Sequence, residues 1–119
     1  MTIAQMLALY KKREKMSRQD RLAAARLLAG SPLGVNGIAD LTYLTPRDVR
    51  RVLGRKRGGR FKAETLPDIS HLAYLKRIGA RLDRDAMHRV QSAGTSQATV
   101  AALMGISRQR LHQLMNEED

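Results

Sequence analysis

Residues 100–114 restrict the fold of this chain more than any other segment does. Ala101 is followed four positions later by Gly105, and Ser107 then opens a second run of apolar residues at helical spacing. A small residue lets two helices cross closely, glycine accepts a positive φ at a tight turn, and serine caps the helix that follows. The residues predicted to face the core are Val100, Met104, Ile106, Leu111 and Leu114. The segment therefore predicts two short helices joined by a tight turn, the pattern of a helix-turn-helix.

The same pattern occurs 62 positions earlier, in residues 38–52, with residue 38 aligned to residue 100. Its apolar and small positions match the later segment in type, and Thr45-Pro46 supplies an N-cap and a proline at the first helical position. Tyr43, however, stands where the later segment has Gly105. Because a bulky residue resists positive φ, we expect a second helix-turn-helix whose turn has a different geometry.

Most of the remaining chain also shows helical spacing, and no stretch shows the alternation of a strand. A first helix is predicted from residue 3 to about residue 16, with an apolar stripe of Ile3, Met6, Leu7 and Tyr10. The predicted N-caps are Thr2, Ser17, Asn36, Thr45, Asp83, Ser107 and either Thr95 or Ser96. The chain has only one phenylalanine and three tyrosines, which favours small packed helices. The predicted fold class is all-α.

Two small helical subdomains are expected, each with one helix-turn-helix. The N-terminal helical domain is predicted at residues 1–54, a basic glycine-rich linker at residues 55–66, and the C-terminal helical domain at residues 67–119. The linker is predicted because glycines and basic residues interrupt the helical spacing there, and a connecting helix follows it. The acidic tail at residues 117–119 is expected to be frayed.

The chain carries a formal net charge of +11, from 22 basic and 11 acidic residues. Arginine supplies 16 of the basic residues, and its planar guanidinium grips phosphates and guanine edges through two hydrogen bonds. Such an excess indicates a polyanionic partner, either nucleic acid or an anionic membrane surface. A membrane-binding helix would carry bulky aromatic anchors on its apolar face, and these are lacking. We therefore predict double-stranded DNA as the partner, and no membrane.

The positive charge is unevenly distributed along the chain. Residues 1–62 contain 15 basic and 4 acidic residues, whereas residues 63–119 contain 7 of each. We therefore expect the N-terminal half to supply most of the electrostatic attraction to DNA. The C-terminal half is expected to discriminate between sequences.

The second helix of each motif is predicted to lie in a major groove, where its outward side chains contact base edges. Arginine pairs with the O6 and N7 atoms of guanine, and glutamine pairs with the N6 and N7 atoms of adenine. The predicted base-reading residues are Arg47, Arg50 and Arg51 in the first motif, and Ser107, Arg108, Gln109, His112 and Gln113 in the second.

The basic linker is predicted to contact DNA in one of two ways. Its slim glycine backbone and its arginines suit a narrow minor groove, where negative potential is concentrated. A flexible linker that only touches phosphates is the alternative. The residues predicted for backbone or minor-groove contact are Thr42, Thr45, Arg55, Lys56, Arg57, Gly58, Gly59, Arg60, Lys62, Thr95 and Arg110.

Residue patterns typical of catalysis or metal binding are scarce. The chain has no cysteine, which excludes a disulfide and a thiolate metal site. His71, His88 and His112 lack the spacing of metal ligands, and no glycine-rich phosphate loop or nucleophile motif occurs. We predict a protein without enzymatic activity and without a metal or other cofactor. No stretch resembles a signal peptide or a membrane span, so a cytoplasmic location is expected.

Residues 100–114 are similar to the helix-turn-helix of many bacterial and phage regulators and of resolvase-type recombinases. Over residues 17–116, the order of motifs resembles the small immunity repressors of actinobacterial phages, especially mycobacteriophages. That order is a helix-turn-helix, a basic Gly-Gly-Arg-Phe linker at residues 58–61, a connecting helix and a second turn ending in Gly-Ile-Ser. The resemblance implies a transcriptional repressor that blocks lytic promoters and maintains lysogeny in the cytoplasm of a bacterial host.

The sequence as a whole favours a sequence-specific transcriptional regulator that binds operator sites. Two reading units in one chain can replace the two-fold dimer of single-motif repressors, so a monomer on DNA is favoured. A homodimer formed through the apolar stripe of the first helix is the alternative. Two other functions remain open: a recombination accessory factor or transposase-type protein that binds DNA ends, and a non-specific architectural protein.

Overall fold

Eight α-helices follow one another along residues 1–116, which are the residues that the computed structural model describes. They are α1 (Ile3–Lys12), α2 (Arg18–Leu27), α3 (Val35–Thr42), α4 (Pro46–Leu53), α5 (Leu66–Arg77), α6 (Arg84–Ala93), α7 (Gln97–Met104) and α8 (Arg108–Met115). Single 3₁₀ turns lie at Arg13–Lys15 and Ala63–Thr65. The only β pairing within residues 1–116 is an isolated bridge between Leu33 and Gly59. The predicted all-α fold is confirmed for these residues; the acidic tail at 117–119 lies outside them.

Side-chain caps begin six of the helices. In each case an oxygen of the capping side chain accepts a hydrogen bond from the backbone N–H three residues later. This bond satisfies one of the backbone donors that have no partner within the helix. The capping residues are Thr2, Ser17, Thr45, Asp83, Ser96 and Ser107. The prediction is confirmed at these positions, and Ser96 rather than Thr95 begins α7.

The start of α3 and the end of α1 differ from the prediction. α3 begins after Gly34 rather than after Asn36, because the backbone at Gly34 packs closely against Gly58 and the chain turns into the helix there. α1 ends at Lys12 rather than near residue 16, because the chain tightens into the 3₁₀ turn at Arg13–Lys15. The guanidinium of Arg21 donates hydrogen bonds of 2.9 Å to two carbonyl oxygens of that turn. These bonds satisfy acceptors that the helix end leaves free.

The turn between α3 and α4 also differs from the prediction. Tyr43 has a left-handed backbone with φ 57° and ψ 40°, and Gly105 has one with φ 72° and ψ 27°. The expectation of a different geometry in the first turn is therefore wrong. The guanidinium groups of Arg13 and Arg21 lie 5.6 and 5.0 Å from the centre of the Tyr43 ring. These cation–π contacts stabilise the tyrosine at a position that usually requires glycine.

One buried hydrophobic cluster extends from α1 to α8. α1 packs against α3 and α5, α2 packs against α3 and α4, α5 packs against α6, and α7 packs against α8. In the predicted stripe of α1, Met6 is buried, and Ile3, Leu7 and Tyr10 pack against the cluster. The stripe thus has its apolar partners within the same chain. The division of the chain into subdomains at residues 54 and 67 stays a prediction.

Candidate nucleic-acid interface

Two helix pairs, α3–α4 and α7–α8, have matching boundaries. All four helices span eight residues, and every boundary of the second pair lies 62 positions after its counterpart in the first. The N–H of Leu44 donates to the carbonyl of Ala39 at 3.0 Å, and the N–H of Ile106 donates to the carbonyl of Ala101 at 3.0 Å. The pairs therefore share helix length, turn conformation and turn hydrogen bonding.

The side chains predicted to read bases lie on the exposed surfaces of α4 and α8. Val49 and Leu111, on the opposite faces of these helices, are completely buried in the core. The exposed residues are Arg47, Arg50 and Arg51 on α4, Ser107 at the start of α8, and Arg108, Gln109, His112 and Gln113 on α8. The hydroxyl of Ser107 already accepts a hydrogen bond from the N–H of Arg110 at 3.0 Å. Ser107 therefore caps α8.

The one acidic residue of α4, Asp48, is paired with a basic residue of α2. The guanidinium of Arg18 donates hydrogen bonds of 2.9 and 3.3 Å to the two carboxylate oxygens of Asp48. These bonds, together with hydrogen bonds from Thr45, lower the pKa of Asp48 to about 2. Because the positive charge of Arg18 offsets the negative charge of this carboxylate, Asp48 does little to weaken the positive charge that the arginines of α4 present to an anion.

The basic segment between α4 and α5 is held by hydrogen bonds on both of its sides. The N–H of Gly59 donates to the carbonyl of Pro32 at 3.1 Å, in the loop before α3. The N–H of Ser96, at the start of α7, donates to the carbonyl of Arg60 at 3.1 Å. Phe61, which follows, is buried in the core. The segment is thus an ordered part of the fold rather than a flexible tether.

The side chains of this segment line a cleft of about 630 Å³. Its cationic residues are Arg50, Arg55, Lys56, Arg57, Arg60 and Lys62. A smaller cleft of about 240 Å³ shares Arg60 and Gly94 with the first and extends to Arg108. None of the carboxylates in residues 1–116 lines either cleft. The two clefts adjoin at Arg60 and Gly94, and their combined lining reaches from Arg50 of α4 to Arg108 of α8; we call this lining the basic surface.

Thr42 and Thr95, which the sequence analysis assigned to the DNA backbone, are buried instead. The hydroxyl of Thr42 donates to the carbonyl of Ile38 at 2.7 Å. The hydroxyl of Thr95 accepts a hydrogen bond from the N–H of Lys62 at 2.9 Å and lies 2.8 Å from the hydroxyl of Thr65. A buried hydroxyl with internal partners cannot reach a phosphate. These two assignments are therefore corrected.

Lys56 also contributes to internal structure. Its ammonium donates hydrogen bonds to the carbonyl of Ser31 at 2.6 Å and to the carbonyl of Leu33, and so ties the segment to the loop before α3. Partial burial lowers the pKa of this ammonium.

The other residues predicted for backbone contact differ in exposure. Gly59 is half-buried, and those that stay exposed are Thr45, Arg55, Arg57, Gly58, Arg60, Lys62 and Arg110.

The structure adds two polar residues that the sequence analysis did not assign to the interface. Asn36, in the first turn of α3, lines the larger cleft, and Gln97, the first residue of α7, lines the smaller one. Free backbone N–H groups at the start of a helix favour an anion nearby. Both residues follow an N-cap within two positions. A polar residue just after an N-cap is the sequence signal for a place near a bound anion. At Asn36 this signal was hidden, because the sequence predicted Asn36 itself as the N-cap.

Two other kinds of feature are not found in residues 1–116. No three His, Asp or Glu side chains in this range are placed to hold a metal ion together. No helix in the same range has both the length and the apolar character needed to cross a membrane. No protein-family model, curated protein or solved structure matches the chain.

Proposed function

We propose that this chain is a sequence-specific double-stranded DNA-binding protein that represses transcription, with α3–α4 and α7–α8 acting as two helix-turn-helix units. The observation that carries the proposal is the placement of two exposed helices, α4 and α8, at the ends of one basic surface. In the proposed complex each of these helices enters the major groove. The basic surface between them lies on the sugar–phosphate backbone or in the minor groove.

The two exposed helices differ in the chemistry that they offer to DNA. α4 presents Arg47, Arg50 and Arg51, which suit phosphates and guanine edges. α8 presents Gln109 and Gln113, whose amides match the adenine edge. We therefore assign most of the affinity to α4 and the linker, and sequence discrimination chiefly to α8. Because the two helices carry different side chains, the preferred site is expected to be asymmetric.

The charge of the chain supports a large electrostatic contribution to binding. The net charge is +11, and the arginines of the segment between α4 and α5 stay exposed although its backbone is packed. Neutralised phosphates release counterions, so affinity falls as the salt concentration rises. We expect a steep salt dependence, with on the order of six to ten phosphates contacted.

A repressor role is proposed from the motif order that resembles actinobacterial phage immunity repressors. A protein that covers a promoter site with two units excludes the polymerase without needing enzymatic activity. Binding as a monomer is proposed, because one chain supplies both reading helices. The apolar stripe of α1, through which a dimer could otherwise form, packs against the chain's own core.

Selection of duplexes from a random library, followed by titration at several salt concentrations, tests the proposal. We expect the selected duplex to bind at least about 10³-fold more tightly than random duplex. A ratio near one would contradict sequence-specific binding and favour an architectural protein. Binding sites mapped across a genome give the biological role: sites at promoters support repression, whereas a site confined to an attachment locus or element end supports the recombination alternative.

A further inference from the structure

The segment between α4 and α5 contacts equivalent points of the two helix pairs. Leu33 and Thr95 occupy the same position, two residues before the start of α3 and of α7. Leu33 forms a parallel β-bridge with Gly59, and Thr95 accepts a hydrogen bond of 2.9 Å from the N–H of Lys62. The segment is thus enclosed between the two loops that lead into the first helix of each pair.

The fit on both sides depends on two residues that lack a side chain. A Cβ atom at Gly58 would clash with the backbone of Gly34 and Leu33, which cannot move aside by a side-chain rotation. A Cβ atom at Gly59 would clash with the hydroxyl of Thr99 in α7. The loop before α3 and the helix α7 therefore both pack directly against the backbone of the segment.

A third contact fixes the downstream end of the segment. The N–H of Ala63 donates a hydrogen bond of 2.6 Å to the carboxylate of Asp40, which lies on α3. The guanidinium of Arg13 in turn donates to the backbone carbonyl of Asp40. The segment is therefore held beside the first helix pair at two points, at Gly59 through the bridge to Leu33 and at Ala63 through the hydrogen bond to Asp40.

We infer that this segment fixes the separation and relative orientation of α4 and α8, so that the protein accepts only one spacing between its two DNA subsites. The inference rests on the proposed function and adds the linker to the base contacts as a determinant of specificity. One inserted base pair moves a subsite by about 3.4 Å and rotates it by about 35°. A flexible tether would absorb that displacement. A segment held on both sides must break its contacts to do so.

Duplexes with altered spacing test this inference on the wild-type protein. One base pair is inserted or removed between the two halves of the selected site, with the half read by α8 identified from the positions at which Gln109→Ala changes the selected sequence. We expect each change to weaken binding by about tenfold or more, as loss of a subsite contact would. Equal affinity for all three spacings overturns the inference and leaves the proposed function intact. A selected site that binds no better than random duplex is a different result, because it rejects the proposed function.

The contact between Gly59 and Thr99 offers a matched set of variants. Gly59→Ala introduces the clash, so we expect the affinity ratio between the native and the altered spacing to fall towards one. The double variant Gly59→Ala/Thr99→Ala removes the hydroxyl, which is the closest clash, and leaves the β-carbon of residue 99 at 3.2 Å, so it should restore most of the ratio. Thr99→Ala alone is the control and should keep the ratio. A Gly59→Ala protein that unfolds like the wild type and keeps full discrimination overturns the role of this contact.

A measurement without DNA tests whether the segment is fixed before binding. The amide hydrogens of Gly59, Lys62 and Ser96 donate hydrogen bonds that join the segment to the loop before α3 and to the loop before α7. We expect these three amides to exchange with solvent at least about a hundredfold more slowly than in an open chain, because exchange requires the contacts to open. Exchange at open-chain rates in the free protein overturns the inference.

Discussion

Tyr43 and Gly105 occupy equivalent positions at the ends of α3 and α7, and both have a left-handed backbone. Tyr43 is the only residue other than glycine with positive φ in residues 1–116. The left-handed conformation raises the free energy of the folded protein by about 1–2 kcal/mol for a residue with a Cβ atom, whereas glycine adopts it without this cost. Arg13 and Arg21 lie over the tyrosine ring, and an exposed cation–π contact contributes about 0.5–1 kcal/mol. The two contacts therefore offset the backbone strain at Tyr43.

Substitutions at residue 43 can separate the strain from the ring contacts. Tyr43→Ala removes the ring but keeps a Cβ atom in the left-handed conformation, whereas Tyr43→Gly removes both. We expect Tyr43→Gly to be about 1 kcal/mol more stable than Tyr43→Ala in urea unfolding followed by circular dichroism. Gly105→Ala is the control for strain alone, because a Cβ there meets no atom within 4 Å, and it should lose about 1 kcal/mol. Equal stabilities for the two Tyr43 variants would contradict the assigned strain.

The features that the sequence predicted well depend on interactions between residues close together in the chain. Ser17, Asp83 and Ser107 cap helices through the N–H three residues later, and such a bond needs no information from the rest of the fold. The exposed faces of α4 and α8 follow in the same way, because the apolar residues Val49 and Leu111 fix which face is buried.

The features that the sequence did not predict depend on contacts between distant residues. The conformation of Tyr43 is stabilised by Arg21, which lies 22 positions earlier in the chain, and by Arg13, which lies 30 positions earlier. The linker is ordered because Gly58 and Gly59 pack against residues of two different helix pairs. A threonine such as Thr42 is exposed or buried according to how helices pack, which its neighbours in the chain do not decide.

Removal of one linker arginine should weaken binding to all duplexes by a similar factor. Arg57 is exposed and lines the larger cleft, which suits contact with a phosphate. For Arg57→Ala we expect the slope of log affinity against log salt to become shallower by about 1. Lys76→Ala is the control for charge, because Lys76 is exposed on α5 and lines neither cleft. An equal change of slope in both variants would show that net charge alone, and not the basic surface, governs binding.

Removal of one glutamine from α8 should instead alter sequence preference. Gln109 is exposed in the first turn of α8, the part of a recognition helix that contacts bases. For Gln109→Ala we expect a loss of about 1–3 kcal/mol on the selected site and a relaxed preference at one or two base pairs. Repeated selection from the random library measures that preference. If Gln109→Ala selects the same sequences as the wild type, α8 has a structural role rather than a reading role.

The ion pair between Arg18 and Asp48 should make stability depend on pH in a defined range. Hydrogen bonds from Arg18, and after them hydrogen bonds from Thr45, lower the pKa of Asp48 from 3.8 to about 2, so the folded protein favours the ionised carboxylate. The contribution of the pair to the free energy of unfolding is therefore fully present above pH 4, and it is lost as the pH falls from 4 to 2. The difference in unfolding free energy between the wild type and Asp48→Asn should shrink over that interval.

A second variant separates the arginine from the other groups around Asp48. Arg18→Gln removes the strongest cause of the shift, so the pKa of Asp48 should rise towards its ordinary value in an NMR titration of the carboxyl group. The fall in stability should still begin near pH 4, but it should end at a higher pH and be smaller, because less of the shift remains. A pKa of Asp48 that is the same with and without Arg18 would assign the shift to Thr45, which also hydrogen-bonds to Asp48. α2 would then hold α4 in place by packing alone.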